Sequence, residues 1–179
     1  MRVLTPSHLA RVAVLALLGL LLAPRPSQAA EVPLNLQAAL FTKIFKLNQK
    51  LASKGDDLEL LIVHAPGQLS QAYQVTTAFS RAGVRAQAVS TTSLRSKVSG
   101  ADVVYVMSGV DAAEVSGLVA SNGVLSIAGS SDPVEGGQVA VGVELGHGGR
   151  PKIVLNLRRA SNETHTFSSQ LLRLARIVH

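Results

Sequence analysis

Leu58-Glu59-Leu60-Leu61-Ile62-Val63-His64, followed by Ala65-Pro66-Gly67 and then Gln68 to Ala82, is the stretch on which the fold turns. Apolar residues run almost without a break from Leu58 to His64, as in a strand covered on both faces. Gln68 to Ala82 reads as a helix that Gly83 stops, because glycine takes the left-handed conformation helix ends favour. Val84 to Val89 then alternates as a second strand. Strand, helix, strand in this order implies a right-handed crossover and a parallel sheet.

The pattern continues downstream. Asp102 to Met107 reads as a third strand and Val124 to Ala128 as a fourth, with helical stretches at Leu94 to Val98 and Asp111 to Ser121 between them. Further on, Val139, Val141 and Val143 alternate with Ala140, Gly142 and Glu144, the period of a strand with one buried face. Gly146-His147-Gly148-Gly149-Arg150-Pro151 supplies a turn, and Lys152 to Leu157 returns as its partner, so the two strands make a hairpin. Phe167, Leu171, Leu174, Ala175 and Val178 then fall at helical spacing. Ser168 or Thr166 is the N-cap of that final helix, and Arg173 and Arg176 lie near its C-terminal end, where the dipole favours cations. Its leucines should pack on the sheet.

Upstream, Leu36, Leu40, Ile44, Leu47 and Leu51 recur at three- and four-residue spacing, with Phe41 and Phe45 widening the stripe. This predicts a helix from Pro33 to about Ser53. Lys43, Lys46, Lys50 and Lys54 make a second stripe, read first as a solvated face and second as a surface for acidic groups on a partner or lipid. The expected architecture is α/β in three layers, α/β/α, with a mainly parallel sheet of four strands extended by a C-terminal antiparallel hairpin. No repeat, linker or low-complexity segment divides it.

Arg2 and Arg11 precede an apolar run, Val12 to Leu22, followed by Pro24, Pro26 and Ser27-Gln28-Ala29, a small-x-small cleavage pattern. Residues 1–29 therefore read as a secretory signal peptide and residues 30–179 as one exported domain. The apolar run is shorter than the roughly 20 residues a membrane helix needs, so the processed protein is expected not to be inserted in the membrane. With 0 cysteines, a lipoprotein anchor, disulfides, thiolate metal sites and thiol catalysis are excluded. A domain of this size holds together by core burial alone.

The chain carries 17 basic and 11 acidic residues. Arg2, Arg11 and Arg25 leave with the leader and no acid does, so the exported domain is only mildly basic. Tryptophan is absent and aromatic residues make up 3% of the chain, which leaves few stacking platforms and argues against nucleic acid.

In open α/β sheets, ligands bind beyond the carboxyl ends of the parallel strands. The loops there read His64-Ala65-Pro66-Gly67, Ser90-Thr91-Thr92-Ser93, Ser108-Gly109 and Gly129-Ser130-Ser131-Asp132, a hydroxyl-rich rim. His64, Ser108, Gly109, Ser131 and Asp132 are the candidate ligand-binding residues. Helix-start amides and hydroxyls would hold a carboxylate or phosphate there. The plainer reading is that these residues cap helices and make turns.

A Ser108, His64, Asp132 triad can be drawn, but Val106 stands where a nucleophile elbow needs its first glycine. Gly146-His147-Gly148-Gly149 sits between two alternating strands and reads as a turn, not an oxyanion loop. No zincin, P-loop or dinucleotide motif is present, and the histidines are scattered singly, so no metal, cofactor or catalytic residue is expected. The sequon Asn162-Glu163-Thr164 is read as a chance match.

Several segments, in order, resemble the YfiR/HmsC-like family of small exported bacterial proteins. Leu36 to Ile44 resembles that family's opening helix, Ala101 to Ser108 its central strand, and Val124 to Ala128 with Gly136-Gly137 its fourth strand and glycine pair. Asn156-Leu157 and Ser168 to Ala175 match most closely. The family's frequent cysteines and the Trp-Pro closing its first helix are missing here, so the chain looks like a divergent branch.

The resemblance implies a soluble periplasmic regulator, not an enzyme, that docks on the periplasmic sensor region of an inner-membrane signalling protein. That partner would be of diguanylate cyclase or sensor kinase type, linked to cyclic-di-GMP and biofilm output. A homodimer is a further partnership to test. The rival reading is a periplasmic small-molecule binding protein for an anionic or polar solute.

Overall fold

The structure, a computed structural model, describes residues 31–179; the leader expected over 1–29 lies outside the described residues. A single seven-stranded sheet has the order β2-β1-β3-β4-β5-β6-β7. Its strands are β1 (Glu59–His64), β2 (Arg85–Ser90), β3 (Val103–Val106), β4 (Leu125–Ala128), β5 (Val141–Leu145), β6 (Pro151–Asn156) and β7 (Ala175–Val178). The helices are α1 (Leu34–Leu47), α2 (Leu69–Arg81), α3 (Thr91–Lys97), α4 (Ala112–Ser121), α5 (Asp132–Glu135), α6 (Leu157–Asn162) and α7 (Ser169–Leu174). The first five strands in sheet order are parallel, from β2 through β4 to β5.

The central strands are apolar on both sides because each face carries its own core. Leu60, Ile62, Val103, Tyr105 and Ile127 point into one cluster with α1, α2 and α7. Leu61, Val63, Val104 and Val106 point into another with α3, α4 and α5. This is the three-layer arrangement, and the alternation within each strand produces it. Three of the four phenylalanines, Phe41, Phe45 and Phe79, gather with Tyr105 at ring separations of 5.7–6.5 Å in the first cluster.

The short helices α5 and α6 stand where the sequence reading placed none, and three further elements differ from it. The first helix ends at Leu47, not near Ser53, because Asn48 turns to extended backbone and bridges to Phe167. There Gln49 N donates to Thr166 O and Ser168 N donates to Leu47 O, and the Asn48 side chain starts a new turn by accepting from Lys50 N and Leu51 N. Lys50 and Lys54 consequently leave the helical stripe. Lys50 reaches Gly123 O at 2.6 Å, and Lys54 pairs with Asp102 at 3.0 Å.

Strand β5 is also not half-wet. It lies inside the sheet between β4 and β6, and Val139, Ala140, Val141 and Val143 have no exposed surface. Its small residues make room for a neighbouring loop, since a Cβ on Gly142 would stand 2.4 Å from Ser130 O.

The last helix is the largest departure. Ser168 caps it as expected, accepting from Leu171 N, but α7 stops at Leu174. Ala175 to Val178 then pairs parallel to β6, placing Ile177 beside Leu155. Thus the expected antiparallel hairpin, β5 with β6, exists, with Leu145 opposite Pro151, but a seventh strand closes the sheet beyond it. A short helix gains little from further turns, whereas β6 offers an unpaired edge and Ile177 and Val178 are β-branched. Arg176 therefore leaves the helix terminus for the sheet, where it pairs with Glu144 and Glu135.

Candidate functional site

Successive crossovers from β1 go first to β2 on one side and then to β3 on the other, so the strand order reverses between β1 and β3. A crevice opens at the carboxyl ends of such neighbours and is the usual ligand position in doubly wound sheets. Here a side chain of the domain itself bridges it. Ala65 N donates to Gln68 Oε1 at 3.1 Å, and Gln68 Nε2 donates to Ser108 O at 2.8 Å. The same amide lies against Gly109, where φ is +87°.

Open space lies one strand further along. Three adjoining grooves, of about 430, 1040 and 260 Å³, meet at Ser108 and Gly129, the residues that follow β3 and β4. Gly109 and Asp132 line the first and Ser131 and Asp132 the second. Four of the five candidate residues thus share this trough. His64 lines none of these grooves: it is buried, with Nδ1 2.9 Å from Ala65 O in its own loop.

One wall of the trough depends on a hydrogen-bonded chain that sequence reasoning did not single out. Tyr105 Oη donates to Gln37 Oε1 at 2.8 Å, and Gln37 Nε2 donates to Val32 O at 2.7 Å. Burial holds the Tyr105 phenol above its ordinary range, with the Glu31 charge adding to the effect, so it stays a neutral donor. Gly129 belongs to this chain too, because a Cβ there would stand 2.4 Å from Tyr105 Oη. No sequence signal announced a buried glutamine in the first turns of α1.

Two of the four helix starts on the rim already have side-chain partners, while α2 and α5 have none. Asp111 caps α4, its Oδ1 accepting from Ala113 N at 2.9 Å, and Ser90 caps α3 by accepting from Ser93 N. The trough's lining includes the carboxylates of Glu31, Asp111, Asp132 and Glu144. The neighbouring cation, Arg176, is engaged by Glu144 at 3.0 and 2.8 Å and by Glu135. Those bonds hold the Glu144 carboxyl below its usual range and the Arg176 guanidinium above its own. The charge of this rim thus works against an anion.

Among the described residues, no cluster of three or more potential ligands could hold a metal ion, and no helix is long and apolar enough to cross a membrane.

A doubly wound α/β domain whose switch crevice is bridged by its own Gln68 amide defines the class of this molecule. Within that class, the family model described as YfiR/HmsC-like matches residues 34–176, and the chain belongs to that family. No curated protein sequence matches it.

Among solved structures, a conserved domain protein from Vibrio cholerae O1 biovar El Tor aligns with TM-score 0.59 at 11% identity, over 84% of this chain and 61% of that one. The ABC domain in complex with L-Trp from Streptococcus pneumoniae aligns with TM-score 0.58 at 15% identity, over 79% and 60%. A ligand-free, open substrate-binding protein with adhesive properties from Clostridium difficile aligns with TM-score 0.53 at 13% identity, over 68% and 54%. The chain spans less than two thirds of each of these proteins, and the likeness is one of fold.

Proposed function

We propose that the chain is an exported, non-catalytic regulator that acts by docking on a membrane-bound signalling protein of diguanylate cyclase or sensor kinase type. The family match over residues 34–176 carries this reading, because YfiR/HmsC-like proteins are periplasmic regulators of cyclic-di-GMP signalling. The site's geometry agrees with it. His64, at the end of β1, is buried with Nδ1 on Ala65 O and does not line the trough with Ser108 and Asp132, which supports a non-catalytic reading. A regulator of this kind shifts its partner's equilibrium by binding one state of the partner more tightly than the other.

The test is deletion of the gene and complementation, with cellular cyclic-di-GMP as the readout. Under this reading, deletion changes the nucleotide level, and a chain carrying Ser108→Ala with Asp132→Asn restores it as well as wild type does. An unchanged level on deletion overturns the diguanylate cyclase form of the reading, and an unchanged level together with an unchanged phosphoprotein profile overturns regulation altogether. N-terminal sequencing of the exported protein checks the leader, and a start at Ala30 is expected.

The meeting of three grooves at Ser108 and Gly129 favours one second reading, a polar solute held in the trough. It predicts a rise in melting temperature with some member of a solute panel, lost in Asp132→Asn.

A further inference from the structure

Helices α1, α2 and α7 form the outer layer on one side of the sheet, and their charged residues are Lys43, Lys46, Arg81 and Arg173, with no aspartate or glutamate in any of the three. All four cations are exposed, and the salt bridges among the described residues engage none of them. The large apolar side chains exposed among the described residues, Leu36, Leu69, Tyr73 and Leu174, lie on these same helices. The opposite layer differs on both counts. Its helices α3, α4 and α5 mix Arg95 and Lys97 with Glu114, Asp132 and Glu135, and expose no large apolar side chain.

Between α1 and α2 runs a groove of about 690 Å³, walled by Leu34, Asn35, Tyr73, Thr77, Ala78 and Arg81. Tyrosine and arginine are among the residue types that most often dominate binding energy at interfaces, and here both line a groove of mixed apolar and polar residues. A groove between two helices suits the inserted side chains of a partner helix, which a bilayer surface cannot supply. Four cations dispersed over three helices also fall at the bottom of the roughly four to eight basic residues that lipid-binding surfaces gather in one cluster.

We propose that this groove and its cationic surround are the partner-binding face, and that the occupant is an acidic, amphipathic helical segment of a protein. Its aliphatic side chains enter between Leu34, Tyr73 and Ala78, and its carboxylates meet Arg81 in the groove wall, within the field of the layer's other cations. This rests on the docking reading above and assigns it a surface and a partner chemistry.

The test places a photo-crosslinking benzophenone amino acid at Tyr73 or Leu36 on this face, and at Arg95 or Glu114 on the other, in the full chain inside the cells that make it. Adducts are digested and sequenced by mass spectrometry. The expected result is an adduct from Tyr73 and Leu36 to a peptide rich in aliphatic and acidic residues, and none from Arg95 or Glu114. Combined Lys43→Glu and Arg81→Glu should lower adduct yield about tenfold, equivalent to 1.4 kcal/mol, while leaving the circular dichroism melt unchanged.

Adducts to a membrane signalling protein from the Arg95 and Glu114 positions alone overturn the surface and leave the docking function standing. An adduct peptide without acids, or a yield indifferent to charge reversal, overturns the partner chemistry. Absence of protein adducts from every position, with flotation on phosphatidylglycerol vesicles, overturns both and points to the bilayer.

Discussion

Glu163 has no exposed surface, yet it accepts from Ser126 N at 2.9 Å, Ser126 Oγ at 2.6 Å and Arg159 Nε at 2.7 Å. Ser126 Oγ in turn accepts from Ala140 N, and Arg159 also donates to Ser116 O, so one carboxylate ties β4, α4, α6 and the segment entering β5 together. Burial pushes the Glu163 carboxyl up, and the Ser126 and Arg159 contacts oppose that push. Removing one partner of such a pair strands the other. Glu163→Ala is therefore expected to cost about 3–5 kcal/mol in urea unfolding, and Glu163→Gln less, because it keeps an acceptor.

Close by, His165 faces two acceptors, Gly123 O at 3.2 Å and Asn48 Oδ1 at 3.3 Å, and a neutral ring can donate to only one of them. Burial, then the Lys50 charge, lowers its pKa to about 4. A folded pKa below the unfolded 6.5 means that the unfolded chain binds the proton more readily. His165's contribution is thus complete above about pH 6.5 and is lost as pH falls toward about 4, up to about 3 kcal/mol in all. Urea midpoints across that window should fall more steeply for wild type than for His165→Gln. From sequence, Glu163 registered only as the centre of a discounted sequon. The i,i+4 spacing from Arg159 was the available signal, and the shortness of α6 hid it.

Among the elements, the central strands were the most legible, because burial on both faces writes an unbroken apolar run that no competing pattern imitates. The ends of elements were not, and for a common reason: each misread boundary is set by a contact distant in sequence. Leu51 continues the heptad-like spacing of α1, but the bridge from Asn48 to Phe167 ends the helix first. Ala175 to Val178 continues the spacing of α7, but Leu174 is 66% exposed, so the extrapolated stripe has no core to meet. Ile177 and Val178 instead join opposite cores as a strand's neighbours must. Two measurements check this. Backbone carbon shifts of residues 175–178 should be strand-like, and truncation after Leu174 should lower the melting temperature and raise light scattering by baring the edge of β6.

At the scale of the molecule, two cores share one continuous sheet, and most of the strands contribute to both. Loss of either core should therefore release the other. Urea unfolding of a Tyr73→Phe variant, followed by far-ultraviolet circular dichroism and by the fluorescence of the remaining Tyr105, is expected to give coincident single transitions, and separated midpoints would show independent halves. The layering was readable from the order of strands and helices alone. The candidate site was readable only as a location: Ser108, Gly109, Ser131 and Asp132 do share the rim, but nothing in the chain distinguished a receptive opening from an occupied one.

Gln68 makes that distinction. An amide tethered through its own backbone bridges the switch crevice, bonded to Ala65 N on one side and Ser108 O on the other. A diffusible ligand in the same place would make the protein a gauge of its surroundings, filling and emptying with supply. A built-in one takes no part in such filling, so any response to a solute would have to arise in the open trough that Ser108 and Gly129 line, not at this crevice.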